Sequence, residues 1–140
     1  MGEFKVFSKV LTYATRRRFE VLCITDDVEK VVAESGIRNG LVLVYVPHAT
    51  AAVIVNEFEP RIAEDYISWL RKFFPPGAGW RHDEIDDNAH AHLASAMIGS
   101  SRIFPLIDGR IVRGTWQEIL LVELDGPRSV RRVVVEVLGN

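Results

Sequence analysis

The sequence predicts an α+β domain with a largely antiparallel, two-sheet β core carrying about three helices. Three observations lead there. Strand and helix signals do not alternate regularly, as a parallel doubly wound sheet would require. The C-terminal strands come in pairs joined by turn signals, which makes hairpins. The 140 residues suit one domain, 1–140, able to bury roughly two-thirds of its unfolded surface. There is no repeat, low-complexity tract or linker.

The first third reads as two strands, about 3–14 and 19–24, joined around the arginine run 16–18. "TDDVEKVVAESG" then has Thr25 or Asp26 as N-cap, acidic residues in its first turn, and Val28, Val31 and Val32 at helical spacing. The spacing predicts a helix over about 27–36, stopped by Gly36. "GLVLVYVP" is a continuous apolar run of strand length, the pattern of a strand buried on both faces. "AAVIVNE" continues the sheet. From Pro60, which suits a first helical turn, Ile62, Tyr66, Trp69, Leu70 and Phe73 form a stripe over a helix to about Phe73. "FFPPGAGW" is a loop. "DDNAHAHLASAMIG" predicts a third helix capped by Asp86 or Asp87 and ended at Gly99. "RIFPLIDGRIV" is a hairpin about Asp108-Gly109, with Pro105 marking an edge or bulge. "TWQEILLVEL" and "SVRRVVVEVL" are long strands separated by the turn "DGPR".

Composition narrows the function classes. Apolar residues make up 48% and charged residues 26%, the mixture of a soluble globular chain. A net charge of −2 argues against a nucleic-acid binder, which needs a basic excess for phosphate contacts. The arginine run beside a turn reads as solvated surface. Cys23 is the single cysteine and sits in an apolar stretch, so we expect it to pack as a small hydrophobe. The N-terminus has neither the apolar core of a signal peptide nor a myristoylation pattern, and no apolar run approaches the ~18 residues of a membrane span. The expectation is a cytoplasmic protein with no membrane partner.

Four histidines stand on three predicted elements: His48 at a strand end, His82 in a loop, and His90 and His92 on the third helix. A lone buried histidine is ordinarily a hydrogen-bonded core residue. Three converging imidazoles with one open position, however, are the pattern of catalytic zinc. His90 and His92 lie about 200° apart around a helix and cannot serve one site from the same face. With Leu93 taken as the core direction, Met97 lies about 40° and His90 about 60° to one side, and His92 about 100° to the other. His90 is therefore expected to point inward and His92 to lie at the rim. No short metal motif such as His-Glu-x-x-His is present.

"HATAAVIVNE", "RHDEIDDNAHAHLASAMIGSS", "DGRIVRGTWQEILLVELDGPR" and "RRVVVEVLG", in that order, resemble the YjbQ-type family, whose members carry the label of secondary thiamine-phosphate synthase enzymes. The likeness covers about residues 4–139. It implies a homotrimer with a two-sheet core. His48 matches the histidine of the family's His-Thr-Thr/Ser-Ala segment, with Ala49 in place of the usual threonine and Thr50 keeping the next hydroxyl. Asn56 and Glu57 match the pair ending that strand, His82 the loop histidine, and His90 the histidine opening the third helix. Gly114, Thr115, Trp116 and Gln117 match the Gly-Thr-Trp-Gln segment, while Glu118 stands where relatives often carry glycine. Glu123 and Arg128 match later polar positions.

Together these readings give an expected site. A divalent metal, Zn²⁺ or else Mg²⁺, is expected on His48, His82 and His90. Glu57, Asn56 and Thr50 are candidates for catalysis, with Glu57 the proton-transfer or supporting carboxylate. Arg128 offers a planar fork of donors to a phosphate or carboxylate, and Asn88 stands at the N-terminus of the third helix, where an anion is favoured. Thr115 and Gln117, two apart on a strand, would line the cavity on one side while Trp116 faces the core. The expected function is a metal-dependent enzyme on a small phosphorylated substrate: a thiamine-phosphate synthase-like transferase, or a metal-dependent phosphohydrolase in which synthase activity is secondary. The alternative is a non-catalytic metal- or metabolite-binding trimer.

Overall fold

A computed structural model describes residues 2–140. In chain order it contains β1 (Lys5–Thr15), β2 (Glu20–Cys23), α1 (Thr25–Ser35), β3 (Gly40–Tyr45), β4 (Ala51–Asn56), α2 (Pro60–Phe73), a 3-10 turn (Arg81–Glu84), α3 (Ala89–Ile98), β5 (Ser101–Ile107), β6 (Arg110–Ile111), β7 (Glu118–Glu123) and β8 (Arg128–Gly139). The strands form a five-stranded sheet, ordered β1-β8-β3-β5-β6, and a three-stranded sheet, ordered β2-β7-β4. Among the described residues every strand pairing is antiparallel. The α+β class read from the sequence is the class found.

The two sheets face each other across one core. Val42 and Val44 of β3, Phe104 of β5 and Val133, Val135 and Val137 of β8 meet Val53 of β4 and Ile119 and Leu121 of β7, with Val28, Val31 and Val32 of α1 closing the side. A second cluster lies on the opposite face of the small sheet, where Ala52, Val122 and Leu124 pack under Leu70 of α2 and Ala91 and Ala94 of α3. The strand buried on both faces is therefore β7, not β3. Residues Ile119 to Glu123 are all buried, whereas β3 alternates. The outer face of the large sheet stays open and apolar, with Val6, Val10, Leu41, Tyr45, Ile103 and Ile107 exposed. No helix among the described residues is long and apolar enough to cross a membrane.

Local signals explain most boundaries. Gly36 ends α1 in the left-handed region at φ 68°. Pro60 opens α2, and the Glu59 carboxylate caps Ile62 N–H at 2.6 Å. Asp108 and Gly109, at φ 52° and 80°, make the hairpin turn between β5 and β6. Four local expectations are corrected. Thr25 is the first residue of α1 rather than its cap, because its hydroxyl accepts from Ile119 N–H at 2.9 Å. Helix α3 starts at Ala89 with Asn88 at the N-cap position, so neither Asp86 nor Asp87 caps it. Residues 114–117 are a turn, closed by Gln117 N–H on Gly114 O at 3.1 Å, so β7 begins only at Glu118. Cys23 is exposed, with Sγ 3.6 Å from a Glu118 carboxylate oxygen.

Candidate functional site

Glu123 ends β7 in a position buried on all sides, where a carboxylate is costly unless fully partnered. Its partners are complete. Thr15 Oγ1 donates to it at 2.6 Å, Arg131 Nε at 2.9 Å, and the N–H groups of Leu124 and Asp125 at 3.0 Å each. Arg131 Nη2 makes a further short contact with the same carboxylate and also donates to Thr50 O and Thr50 Oγ1. Burial pushes the Glu123 carboxyl up, but hydrogen bonds from Arg131, Thr15 and Asp125 N–H together outweigh it and hold the group below the ordinary carboxylate range. This ion pair fixes the turn that follows, Leu124 to Pro127, and ties β1, β7, β8 and Thr50 into one unit.

Four of the residues picked from the sequence converge on that turn. Asp125 Oδ2 accepts from Arg128 Nη2 at 2.7 Å and from Asn88 Nδ2 at 2.9 Å, and Asp125 O accepts from Arg128 Nε. Asn88 Oδ1 is left to accept from His82 Nε2 at 3.1 Å, which places the ring proton there and leaves the His82 Nδ1 lone pair free. His90, fully buried, donates Nε2–H to Leu124 O at 3.1 Å and stacks edge-on against Phe19. Asn88 is at the N-cap position of α3 yet caps nothing with its side chain, because that amide is committed to the chain from Asp125 to His82.

The three-histidine ligand set is not brought together. Among the described residues no group of three or more His, Cys, Asp or Glu side chains is arranged to hold a metal ion. His48 uses its Nε2 lone pair to accept Arg132 N–H at 2.9 Å, and the His90 Nδ1 lone pair is enclosed without a partner. Of the trio only His82 keeps an outward lone pair. Its neighbour is His92, with ring centroids 4.8 Å apart in an edge-on arrangement. His92 thus belongs to the site from which the helical wheel removed it. Burial, then the Arg131 charge, depresses the His48 pKa, and burial, then Arg18, depresses that of His90. Both shifts favour the neutral imidazole.

The wheel failed through its reference direction. Leu93 and Met97 are 42% and 79% exposed, while Ala91, Ala94 and Ser95 form the buried face of α3. Small side chains let the helix approach the small sheet closely, and Ser95 Oγ donates to Ala51 O at 2.8 Å. His90 points inward as expected, about 40° from Ala94.

The remaining sequence picks lie elsewhere. Antiparallel register sets Ala51 opposite Glu123 and Asn56 opposite Glu118. At about 3.3 Å per residue, the two ends of β4 are about 17 Å apart, so Asn56 and Glu57 cannot share a pocket with Thr50 within one chain. Thr115 lines a different cavity of about 460 Å³, with Arg110, Arg113 and Glu29. Gln117 turns its side chain back to accept Gly114 N–H at 2.6 Å, and Trp116 is 72% exposed rather than core. The strand periodicity that grouped these residues does not exist in the 114–117 turn. Besides His92, sequence reasoning missed Asp125, read only as a turn former, and Arg131. A charge at the end of an otherwise apolar run signals a buried partner, and Glu123 carries that signal; Arg131, beside the exposed Arg132, does not.

Comparison with known proteins agrees with this architecture. The family model described as UPF0047 protein YjbQ-like matches residues 9–140. A UPF0047 protein of Archaeoglobus fulgidus is 46% identical over 128 residues, covering 91% of this chain and 98% of its own. YugU, a UPF0047 protein of Bacillus subtilis, is 34% identical and covers 94% of this chain and 98% of its own. The crystal structure of a YbjQ-like protein from Sulfolobus solfataricus superposes with a TM-score of 0.97 at 48% identity, over 99% of this chain and 100% of that one. Motif order, fold and overall similarity coincide over nearly the whole length, and the chain belongs to the YjbQ-like UPF0047 family.

Proposed function

We propose that the chain is an enzyme acting on a small phosphorylated substrate at the face formed by His82, His92, Asn88, Asp125 and Arg128. The observation that carries this is the hydrogen-bonded series from Asp125 through Asn88 to His82. A carboxylate orients an amide, the amide fixes the imidazole tautomer, and the Nδ1 lone pair is presented for proton transfer. Beside it, Arg128 is held in plane by Asp125 through Nε and Nη2 and keeps its remaining N–H donors for an anion. In this reading His82 takes the proton from the attacking nucleophile, His92 holds the neighbouring position, and Arg128 receives the phosphate.

A divalent cation, Zn²⁺ or Mg²⁺, enters this proposal only with an altered ligand set. His48 and His90 do not fit it, for the reasons of geometry given above. His82 and His92 are the imidazoles open to a cation, which would occupy the His82 lone pair in place of the proton-transfer role and supply Lewis-acid polarisation of a phosphoryl oxygen. Between the synthase activity that the resemblance implies and the hydrolysis expected from the residues' own chemistry, a fixed general base favours hydrolysis of a phosphoester, with formation of thiamine phosphate secondary. Purified protein assayed on a phosphoester panel and on the pyrimidine diphosphate plus thiazole phosphate pair decides between them. Hydrolysis lost in His82→Ala and Arg128→Ala supports the reading. Synthase turnover exceeding hydrolysis, or full metal content with no turnover of either kind, overturns it.

The open apolar face of the large sheet supports self-association, and a homotrimer is the assembly proposed here. Light scattering on the eluted protein tests the copy number, and Ile103→Glu, on β5 in that face, should shift it toward monomer.

A further inference from the structure

We propose that the cleft between β4 and α2 is a binding site for a small zwitterion with an apolar or aromatic body, of the α-amino-acid type. The cleft has a volume of about 510 Å³, within the range of small-molecule sites. One wall is the stripe Ile62, Asp65, Tyr66 and Trp69 of α2, which follows i, i+3, i+4, i+7 spacing. Three of those four side chains are large and apolar or aromatic. The fourth is a carboxylate, in the row where this spacing otherwise places packing residues.

Arg102 and Asn56 also line the cleft. Acid and base share one cavity, yet neither Asp65 nor Arg102 is ion-paired, with each other or with any group among the described residues. The Arg102 guanidinium is fixed by donating Nη1–H to Ser101 O at 2.8 Å and Nη2–H to Ile98 O at 2.7 Å, and its other N–H donors remain. Asn56 Oδ1 accepts Glu57 N–H at 2.7 Å, which orients the amide and leaves Nδ2 as a donor. Tyr66 donates its hydroxyl to Glu57 O at 2.6 Å, so its ring is a fixed wall. Fixed donors suit a carboxylate, Asp65 suits an ammonium group, and Trp69 and Ile62 suit an apolar body between them. A guest carrying both charges satisfies the cleft better than a simple cation or anion does.

Isothermal titration of the full chain with L-leucine, L-phenylalanine and L-tryptophan, against their N-acetyl amides, tests this. The zwitterions should bind, and the uncharged analogues should bind about tenfold or more weakly, since each lost charged hydrogen bond is worth about that factor. Asp65→Asn, an isosteric change on an exposed helix surface, should weaken the zwitterions by about tenfold, and Trp69→Ala should weaken phenylalanine and tryptophan more than leucine. His82→Ala should leave all of these unchanged, which separates this site from the one proposed above. Absence of binding at millimolar zwitterion, equal binding of the amides, or undiminished binding by Asp65→Asn overturns the proposal.

Discussion

Replacing Glu123 with leucine tests the idea that one buried ion pair sets the candidate site. The carboxylate is fully buried and accepts from Thr15, from two backbone N–H groups and twice from Arg131, itself 4% exposed. Glu123→Leu leaves the guanidinium without its counter-charge and orphans the Asp125 amide, while Leu124 N–H keeps Thr50 O at 3.2 Å. Removing one partner of such a pair costs about 3–5 kcal/mol. For 140 residues at about 2.1 cal/mol/K of unfolding entropy each, that is a fall in Tm of about 10–17 °C. Calorimetry measures it. Adding Arg131→Met should recover much of the loss, because the double variant has no uncompensated charge; the cycle should show coupling of about 2 kcal/mol or more. Glu123→Gln gives a second reading at His48. Glu123 raises the His48 pKa and Arg131 lowers it, so neutralising the carboxylate should depress it further. Additive single and double losses, or a His48 pKa that rises in Glu123→Gln, would refute the reasoning.

Stability should rise as pH rises toward 6.5: burial holds the folded His48 and His90 pKa values below that ordinary value, so the unfolded chain binds more protons between the folded values and 6.5, and neutral imidazoles favour the fold above it. Urea midpoints across that range check the sign, and a flat or falling profile contradicts it. At the acid end, stability contributed by Glu123 is complete above its ordinary value of 4.5 and is lost as pH falls through its lower folded value. Gly126→Ala should destabilise by about 1–3 kcal/mol or more, since a Cβ there would lie 2.0 Å from Arg17 O; denaturant titration reads the change directly. Asn88→Leu should lose activity on any substrate turned over by the wild type, and Asn88→Asp should retain part of it, because only the latter can still accept from His82 Nε2.

Sequence pattern exposed what depends on one element at a time. Helix α2 runs Pro60–Phe73 as its stripe and its proline predict, and Gly36 and Asp108-Gly109 mark real turns because left-handed φ restricts residue choice locally. What stayed hidden depends on two elements meeting. Nothing in "GTWQ" distinguishes a strand from the turn that Gln117 closes on Gly114 with its own side chain. Nothing in "NAHAHL" says that alanines rather than Leu93 face the sheet, since both satisfy a helical period and only the closeness of β4 chooses between them.

The candidate site divides along the same line. His82, Asn88, His90 and Arg128, picked from the histidine pattern and the resemblance, come together around the turn after β7, though His90 does so as a buried hydrogen-bonded ring and not as a metal ligand. Asn56, Glu57, Thr115 and Gln117 were added to the same pocket because motif order says nothing about register. Once Ala51 is opposite Glu123, the alternation and rise of β4 force Asn56 to the far end of the small sheet. A single chain therefore carries two separate polar ends on one buried strand pair, β4 and β7. The pair Glu123–Arg131 holds only the histidine end. The far end, with Asn56, Tyr66 and the Glu57 carbonyl, is held by its own hydrogen bonds, so a substitution at Glu123 should disturb His48 and Asp125 while leaving the cleft beside Trp69 intact.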